Sequence, residues 1–532
     1  MRPLTFEHRS AEPDERNGAL AEAVRRRLAL LDAGDVIARI WRHDHTVWKP
    51  DPTEIANRLG WLTLPADLAP RIGELTAFAR QVAADGFTHA VLLGMGGSSL
   101  APEMFARTYR TAPGALELTV LDTTHPATIA RVEASLDIDH TLFIVASKSG
   151  TTLETLSHFE HFHARVVAAV GEGRAGSSFV AITDPGTPLE ALARAHGFRD
   201  VFLNPPDLGG RYSALSLFGL VPGALIGADL DGLLASANDM AKATTVPRAS
   251  ENPAAWLGAV MGEAALAGKD KLTFVLPASI EAFGDWVEQL IAESTGKEGQ
   301  GIVPVAGEDL GPPGVYGEDR LFLSLGDHPG LAALREAGHP VVTLDAAGGS
   351  GPAAGLGAEI FRFEFATAVA GHVLGINAFD QPNVEEAKQA TRAILAEGQE
   401  TTPDRGDATA LLAEVKPGEY VAIQAYIDRT DATVGLVQGK RLSVRGAHVV
   451  ATTVGFGPRF LHSTGQLHKG GPNTGVFLQV TDAHREVDLP IPGKPYTFGT
   501  LIDAQALGDL LALRARGRRV ARLTLEELEE LS

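Results

Sequence analysis

Residues 145–155, VASKSGTTLET, join an apolar segment to a helical pattern through a very polar turn. A helix N-cap uses one hydroxyl group, but this turn carries four. They belong to Ser147, Ser149, Thr151 and Thr152. Ligands of open parallel sheets lie beyond the carboxyl ends of the strands, where helix N-termini offer free N–H groups. The turn is therefore a candidate cradle for a phosphate or carboxylate, and a solvated loop with good caps is the alternative.

A second turn of the same kind occurs earlier in the chain. Residues 90–105, AVLLGMGGSSLAPEMF, also run from an apolar segment into a helical pattern, through three glycines and two serines. Neither a dinucleotide-binding nor a P-loop glycine pattern is present, so the two turns together predict a two-part anion site. The spacing Thr151-x-x-Glu154 matches a capping box and predicts that the later helix begins near Thr151.

The segments around these turns predict the fold class. From His89 onward, short runs that are apolar at every position alternate with amphipathic helical patterns. Such runs are typical of parallel strands that are buried on both faces. The alternation predicts an α/β fold with one doubly wound parallel sheet over 86–245 and a second over 250–395.

The remaining segments complete the predicted organisation. Residues 1–85 carry mostly helical periodicity, and 396–417 are polar and resemble a linker. Residues 418–532 again alternate apolar runs with a helical pattern, which predicts an additional C-terminal α/β unit.

Composition narrows the function classes. The 532-residue chain has a net charge of −20, which argues against nucleic acid or an anionic membrane as a partner. It contains no cysteine, which excludes disulfides, thiolate zinc sites and cysteine nucleophiles. Its first residues lack the apolar core of a signal peptide, and no apolar run is long enough to span a bilayer. We expect a cytoplasmic protein.

Five motifs, in this order, resemble phosphoglucose isomerases: GMGGSSLAPE, SKSGTTLET, GGRYSALSLFGL, WVEQLIAESTGKEG and NAFDQPNVEEAK. Residues 39–61 and 455–479 are similar, more narrowly, to the isomerase half of bifunctional bacterial transaldolase/phosphoglucose isomerases. The resemblance implies two sugar-isomerase (SIS) domains. It also implies conversion of glucose 6-phosphate to fructose 6-phosphate through an enediolate, with no metal and no cofactor.

The resemblance also implies roles for individual residues. Glu293 corresponds to the general base, Arg211 to the cation that stabilises the enediolate, and Lys388 to the lysine at the sugar ring. Gln289 corresponds to a substrate-binding glutamine and Gln381 to a glutamine near the phosphate. The residues expected to bind the phosphate are Gly97, Ser98, Ser147, Lys148, Ser149, Thr151 and Thr152.

The catalytic histidine of the family is the hardest residue to identify. Three histidines lie between Glu293 and Lys388, none in a family-like context: His328, His339 and His372. The stretch LHSTGQ in the C-terminal unit resembles the histidine segment of some bacterial members and predicts His462, with His468 as a further candidate. The hypothesis is that the C-terminal unit replaces a contribution that a partner subunit makes in other members.

Two other functions compete with this one. The first is isomerisation of another sugar phosphate, such as mannose 6-phosphate, by the same Glu293 and Lys388. The second is a non-catalytic SIS-domain sensor of sugar phosphates. We expect a sugar phosphate as the ligand. A homodimer, a monomer completed by its own C-terminal unit, and association with a transaldolase all stay open.

Overall fold

The computed structural model describes residues 18–345, 355–397 and 404–531. Within these residues the chain forms three parallel β-sheets connected by helices, so the predicted α/β class is confirmed. Each sheet lies inside one of the predicted α/β units, whose limits stay predictions. Residues 1–17 of the predicted helical region lie outside the described residues.

The region before the first sheet is mostly helical where it is described, with turns and 3-10 helices between α2 and α3. Its helices are α1 (Gly18–Ala33), α2 (Val36–Trp41), α3 (Leu64–Leu68) and α4 (Ile72–Ala84).

The first sheet has five strands in the order β2-β1-β3-β4-β5. Its strands are β1 (His89–Gly94), β2 (Glu117–Leu121), β3 (Thr141–Ala146), β4 (Phe179–Thr183) and β5 (Asp200–Leu203). Its helices are α5 (Leu100–Tyr109), α6 (Pro126–Ser135), α7 (Leu153–Val170), α8 (Glu172–Ala175), α9 (Pro188–Ala195), α10 (Leu217–Leu225) and α11 (Leu230–Ala243).

The apolar runs of the inner strands β1, β3 and β4 are buried on both faces. In β3, Leu142 and Ile144 pack into the large central core, whereas Phe143 and Val145 pack into a separate outer core. Phe143 stacks on Phe162 of α7 at a centroid distance of 4.9 Å. Continuous apolar strands therefore report two-sided burial, as the sequence predicts.

The second sheet has the order β7-β6-β8-β9. Its strands are β6 (Lys271–Val275), β7 (Val303–Val305), β8 (Arg320–Leu325) and β9 (Val341–Leu344). The accompanying helices are α12 (Pro253–Leu266), α13 (Phe283–Thr295), α14 (Leu331–Glu336), α15 (Leu356–Leu374) and α16 (Val384–Glu397).

The third sheet has the order β11-β10-β12-β13. Its strands are β10 (Tyr420–Tyr426), β11 (Ala451–Phe456), β12 (Gly475–Thr481) and β13 (Arg519–Thr524). Its helices are α17 (Ala408–Ala413), α18 (Asp431–His448), α19 (Gly465–Gly470), α20 (Phe498–Ala515) and α21 (Leu525–Glu530).

Part of the predicted linker 396–417 is ordered structure of the third unit. Residues 398–403 lie outside the described residues, but 408–413 form α17, and Leu412 is buried in the core of the third unit. The segment is polar on average, which predicted a linker, but the apolar side chain of Leu412 is buried in a core.

The third unit docks on the first through an apolar contact. Phe498 and Leu501 of α20 are fully buried in the outer core of the first sheet. The ring of Phe498 stacks on His158 of α7 at 5.7 Å. This contact brings α20 against the helix that follows the 145–155 turn. None of the helices in the described ranges is long and apolar enough to cross a bilayer.

Candidate active site

The two polar turns lie at the carboxyl ends of neighbouring strands. A 3-10 helix, Gly96–Ser98, follows β1, and the 147–152 turn follows β3. A Cβ atom at Gly97 would lie 2.0 Å from the carbonyl oxygen of Gly210, so glycine allows this turn to touch the segment that carries Arg211. Ser98 is buried beside it, 8% exposed.

In the second turn the hydroxyl groups bond to one another. Ser147 Oγ lies 2.8 Å from Thr152 Oγ1, and Ser149 Oγ lies 3.0 Å from Thr151 Oγ1. The capping-box prediction is wrong: α7 begins at Leu153, and its N-cap, Thr152, makes no side-chain cap hydrogen bond. The Thr152 hydroxyl therefore does not cap α7, and the start of this helix lies directly after the hydroxyl groups of the turn, where an anion site would be expected.

Lys148 points to a partner within the first unit. Its Nζ donates to Asp184 and lies 3.5 Å from the carbonyl oxygen of Pro206. Burial raises the pKa of Asp184 even though Lys148 opposes that shift. The lysine of the turn is thus held by a carboxylate, whereas Ser149, Thr151 and Thr152 line the cavity described below.

Arg211 is held by four hydrogen bonds. It lies in a 3-10 helix between β5 and α10 and is 1% exposed. Its Nε donates to Ser294 Oγ at 2.7 Å and its Nη1 to Gln381 Oε1 at 3.0 Å. Its Nη2 donates to the carbonyl oxygens of Ala378 and Asp380, each at 2.9 Å. The guanidinium therefore has one orientation.

Glu293 lies beside this guanidinium, with Oε1 3.5 Å from Arg211 Nη1. The carboxylate is 8% exposed, on a face of α13 whose neighbours are core residues. Gln289, one turn earlier, donates from Nε2 to Glu293 Oε2 at 3.3 Å and to the carbonyl oxygen of His462 at 2.6 Å. Gln289 thus links the base candidate to the histidine segment of the third unit.

His462 lies in a 3-10 helix, Arg459–His462, just after β11. Its Nε2 is 3.1 Å from Glu154 Oε1, an oxygen that also accepts from Gln505 Nε2 at 2.7 Å. Arg459 holds this segment to the first unit through Glu103 and, at 3.3 Å, Asp122.

The charge of Glu154 is stabilised by its neighbours. Burial alone would raise the pKa of Glu154, but His462, through charge and a hydrogen bond, and Lys388 outweigh it and hold the pKa at about 2. Glu154 is therefore an ionised carboxylate at neutral pH. Its position explains the failed capping prediction, because the carboxylate contacts His462 and Gln505 of the third unit.

A cavity of about 220 Å³ lies between the 149–154 turn, Lys388 and His462. It is lined from one side by the 149–154 turn, from another by Lys388 and Thr391 of α16, and from the third unit by His462 and Gln505. The structure thus brings together residues predicted from three separate parts of the sequence.

The other candidate histidines lie elsewhere. His328 is exposed and accepts from the N–H of Gly330. His339 packs against Tyr316, and His372 bonds to the carbonyl oxygen of Val47. His468 is buried, and burial lowers its pKa well below the usual value. Among the residues that the structure describes, no three His, Asp or Glu side chains are arranged to hold a metal ion.

Two pairs of residues at the candidate site were not predicted from the sequence. The first is Glu154 with Gln505. The second is Lys297, 1% exposed, whose Nζ donates to the carbonyl and carboxylate oxygens of Asp380. Burial, and next the Arg211 guanidinium, lower the pKa of Lys297 to about 7. Lys297 and Asp380 stand inside the quoted motifs STGKEG and NAFDQPN, which was the available signal.

Comparison with known proteins gives a consistent family. The family model for phosphoglucose isomerase matches residues 77–306. A glucose-6-phosphate isomerase of Thermosynechococcus vestitus is 30% identical over 69% of this chain and 77% of its own length. A probable glucose-6-phosphate isomerase of Haloarcula marismortui is 31% identical over 63% of this chain and 82% of its own length.

Two solved structures share the fold. A hypothetical protein from Thermus thermophilus superposes with a TM-score of 0.63 and 27% identity, over 74% of this chain and all of that one. A glucose-6-phosphate isomerase from Chlamydia trachomatis superposes with a TM-score of 0.60 and 20% identity, over 76% of this chain and 90% of that one.

Proposed function

This chain belongs to the phosphoglucose isomerase family, and from that premise we infer that it interconverts glucose 6-phosphate and fructose 6-phosphate. One observation carries the assignment of roles. A buried carboxylate, Glu293, lies 3.5 Å from a buried guanidinium that donates four hydrogen bonds, Arg211, whose segment touches the Gly96–Ser98 turn. A sensor of sugar phosphates has no use for such a pair, but proton transfer at carbon requires one.

Glu293 acts as the general base. In aldose–ketose isomerisation a base removes the proton from C2 of the open sugar and returns it to C1. The Gln289 donor keeps the Glu293 carboxylate oriented. A positioned base contributes about 10²–10⁴-fold to the rate.

Arg211 stabilises the enediolate that forms between the two proton transfers. Its charge is permanent, and its four hydrogen bonds fix it before the substrate arrives. A preorganised cation does not have to reorient when negative charge develops on the substrate oxygens.

His462 and Lys388 open the sugar ring. Opening requires a proton to move between the ring oxygen and the anomeric hydroxyl, and histidine exchanges protons near neutral pH. The ionised Glu154, 3.1 Å from His462 Nε2, orients the imidazole. Lys388 lines the same cavity.

The phosphate binds at the hydroxyl-rich end of this cavity. Ser149, Thr151 and Thr152 supply donors there, and the N-terminus of α7 adds N–H groups and a partial positive charge. These groups carry no negative charge, so they can hold a dianion in a protein whose net charge is −20.

We also propose that one chain suffices for the chemistry. His462 belongs to the same chain as Glu293 and Lys388, so no partner subunit has to supply a histidine. Analytical ultracentrifugation at the assay concentration should show a monomer, and the protein should be active at that concentration. The likeness of residues 39–61 and 455–479 to bifunctional enzymes supports association with a transaldolase, which a pull-down with the purified transaldolase would test.

The first experiment is turnover of fructose 6-phosphate in the presence of EDTA, followed by an assay of glucose 6-phosphate, for the wild type and Glu293→Gln. We expect a loss of about 10²–10⁴-fold in kcat, because the amide cannot accept a proton. Parallel assays with mannose 6-phosphate identify the preferred epimer. An inactive wild-type protein would refute the proposed function.

Glu288→Gln is the matched control. Glu288 lies on the same helix but lines a separate cavity, with Arg459 and Ser463. Burial and the neighbouring Asp285 raise the pKa of Glu288 to about 8. Glu288 is therefore mostly protonated and uncharged at neutral pH, so replacing it with glutamine changes the charge of the site little. We expect activity close to that of the wild type.

A further inference from the structure

A continuous chain of hydrogen bonds runs from the first unit through α20 to the histidine. Thr124 Oγ1 donates to Gln505 Oε1 at 2.6 Å, and Gln505 Nε2 donates to Glu154 Oε1 at 2.7 Å. The same Glu154 oxygen faces His462 Nε2 at 3.1 Å. Thr124, Glu154 and Gln505 are all buried, and the His462 side chain is 12% exposed.

The donors and acceptors of this hydrogen-bond chain fix the direction of its hydrogen bonds. Glu154 is a carboxylate, which only accepts hydrogen bonds, so the nitrogen end of the Gln505 amide must face it. The oxygen end then faces Thr124, whose hydroxyl can donate. A reversed amide would place two acceptor oxygens together at Glu154, whereas the Thr124 hydroxyl could accept from the amide nitrogen, so the carboxylate decides the orientation. Gln505 therefore holds the carboxylate at one position, with the oxygen shared between Gln505 and His462.

The helix that carries Gln505 also fixes the lysine side of the cavity. A Cβ atom at Gly508, one turn further along α20, would lie 2.8 Å from Thr391 Oγ1 and 3.2 Å from the carbonyl oxygen of Ala387. Ala387 and Thr391 flank Lys388 on α16. The next residue, Asp509, pairs with Lys469 of α19, which follows the His462 segment. One helix thus touches the supports of Glu154, Lys388 and His462.

We propose that Gln505 is a positioning residue for ring opening. It aims the Glu154 carboxylate at His462, and it does so only when the third unit is docked on the first. The third unit would then supply both the histidine and the residue that orients the partner of the histidine. This inference rests on the proposed function, because it needs His462 to act on a closed sugar.

Gln505→Leu tests the proposal with two substrates. The first is fructose 6-phosphate, which is mostly ring-closed. The second is 5-deoxyfructose 6-phosphate, a ketose that cannot close its ring because the C5 hydroxyl is missing. We expect kcat to fall by up to about 100-fold on the closed sugar and to change little on the acyclic ketose, since only the first needs a correctly placed His462.

Gln479→Leu is the matched control. Gln479 is a fully buried glutamine of β12, and its Nε2 donates to the carbonyl oxygen of Ala506 at 3.0 Å. It therefore supports α20 next to Gln505 without touching Glu154. We expect it to lower the midpoint of thermal unfolding but to leave the ratio of the two kcat values unchanged.

Gln505→Glu adds a test by rescue. At neutral pH two carboxylates would meet, whereas at lower pH the introduced carboxyl can be protonated and donate to Glu154 again. The other titratable groups around Glu154 are His462, Lys388, His158 and Tyr426, and all are present in the wild type. We expect the activity ratio of variant to wild type on the closed sugar to rise as pH falls from 8 to 6.

Thr124→Val is the second variant, since it removes the hydroxyl at the far end of the hydrogen-bond chain and keeps the shape of the side chain. It should lower kcat on the closed sugar in the same direction, by a smaller factor. An inactive wild type would refute the proposed function and this inference with it. An active wild type with equal losses on both substrates for Gln505→Leu and Thr124→Val, or with no loss, would overturn the inference alone.

Discussion

The candidate site contains two buried polar clusters, and they are assembled in different ways. The Arg211 cluster draws its acceptors from the second unit, from Ser294, Ala378, Asp380 and Gln381. The His462 cluster joins Glu154 and Thr124 of the first unit to His462 and Gln505 of the third. Under the proposed roles, the base Glu293 and the cation Arg211 belong to the second and first units, and ring opening also needs the docked third unit, which supplies His462.

Among the changes that compare the two clusters, Arg211→Lys should give the largest effect and should break the first cluster alone. Lysine keeps the charge, but it lacks the planar fork that reaches Ser294, Gln381 and two carbonyl oxygens together. We expect kcat to fall by about 10²–10³-fold. Because the enediolate forms from every substrate, the loss should be equal for fructose 6-phosphate and the acyclic ketose, unlike the loss for Gln505→Leu.

Arg320→Lys is the control for burying a lysine in place of an arginine. Arg320 is fully buried in β8 and donates to Thr273 Oγ1, away from the cavity. We expect lower stability and a wild-type kcat. A loss for Arg211→Lys confined to the closed sugar would contradict the division of labour between the clusters.

The two clusters also differ in how they respond to pH. The pKa of Glu154 is lowered to about 2. At pH values above the ordinary carboxyl pKa, the ionised Glu154 therefore stabilises the folded state, and this stabilisation is lost as the pH falls toward 2. The pKa of Lys297, beside Arg211, is also lowered, to about 7. For a lysine this means that the folded state disfavours the charged form.

Lys297→Met should reveal this penalty. Between pH 7 and the ordinary lysine pKa, the unfolded chain binds more protons than the folded one, so stability rises with pH. We expect the free energy of unfolding of the wild type to rise relative to that of Lys297→Met between pH 7 and 9, by at most about 1.4 kcal/mol per pH unit. Urea titrations at pH 7, 8 and 9 measure the difference, and a constant difference would contradict the prediction.

The comparison also shows what a sequence can predict. Continuous apolar runs predicted the sheets because a strand buried on both faces has no polar position. Arg211, Gln289 and Glu293 could be placed in one site because they stand in contiguous motifs. The direction of the Glu154 side chain could not be predicted, because a local hydrogen bond and a contact 308 residues away compete for the same carboxylate.

The role of Gln505 could not be predicted from the sequence either. This residue lies in an apolar helical pattern with no motif of its own, and its partners, Thr124 and Glu154, are 381 and 351 residues away. Lys148 illustrates the reverse case. It stands in a motif and was predicted to bind the phosphate, but its long side chain reaches Asp184 across the first unit.

Lys148→Met should therefore have the smallest effect of the changes considered. Partly exposed ion pairs contribute about 0.2–1 kcal/mol, and the lysine and aspartate side chains are 28% and 11% exposed. If Lys148 mainly holds Asp184, its loss should raise KM by no more than about fivefold, which corresponds to 1 kcal/mol. The stability lost should be recovered in the double variant with Asp184→Asn, because that variant no longer buries an unpaired carboxylate. A KM increase of about 100-fold with unchanged stability would instead mean that Lys148 leaves Asp184 and binds the phosphate.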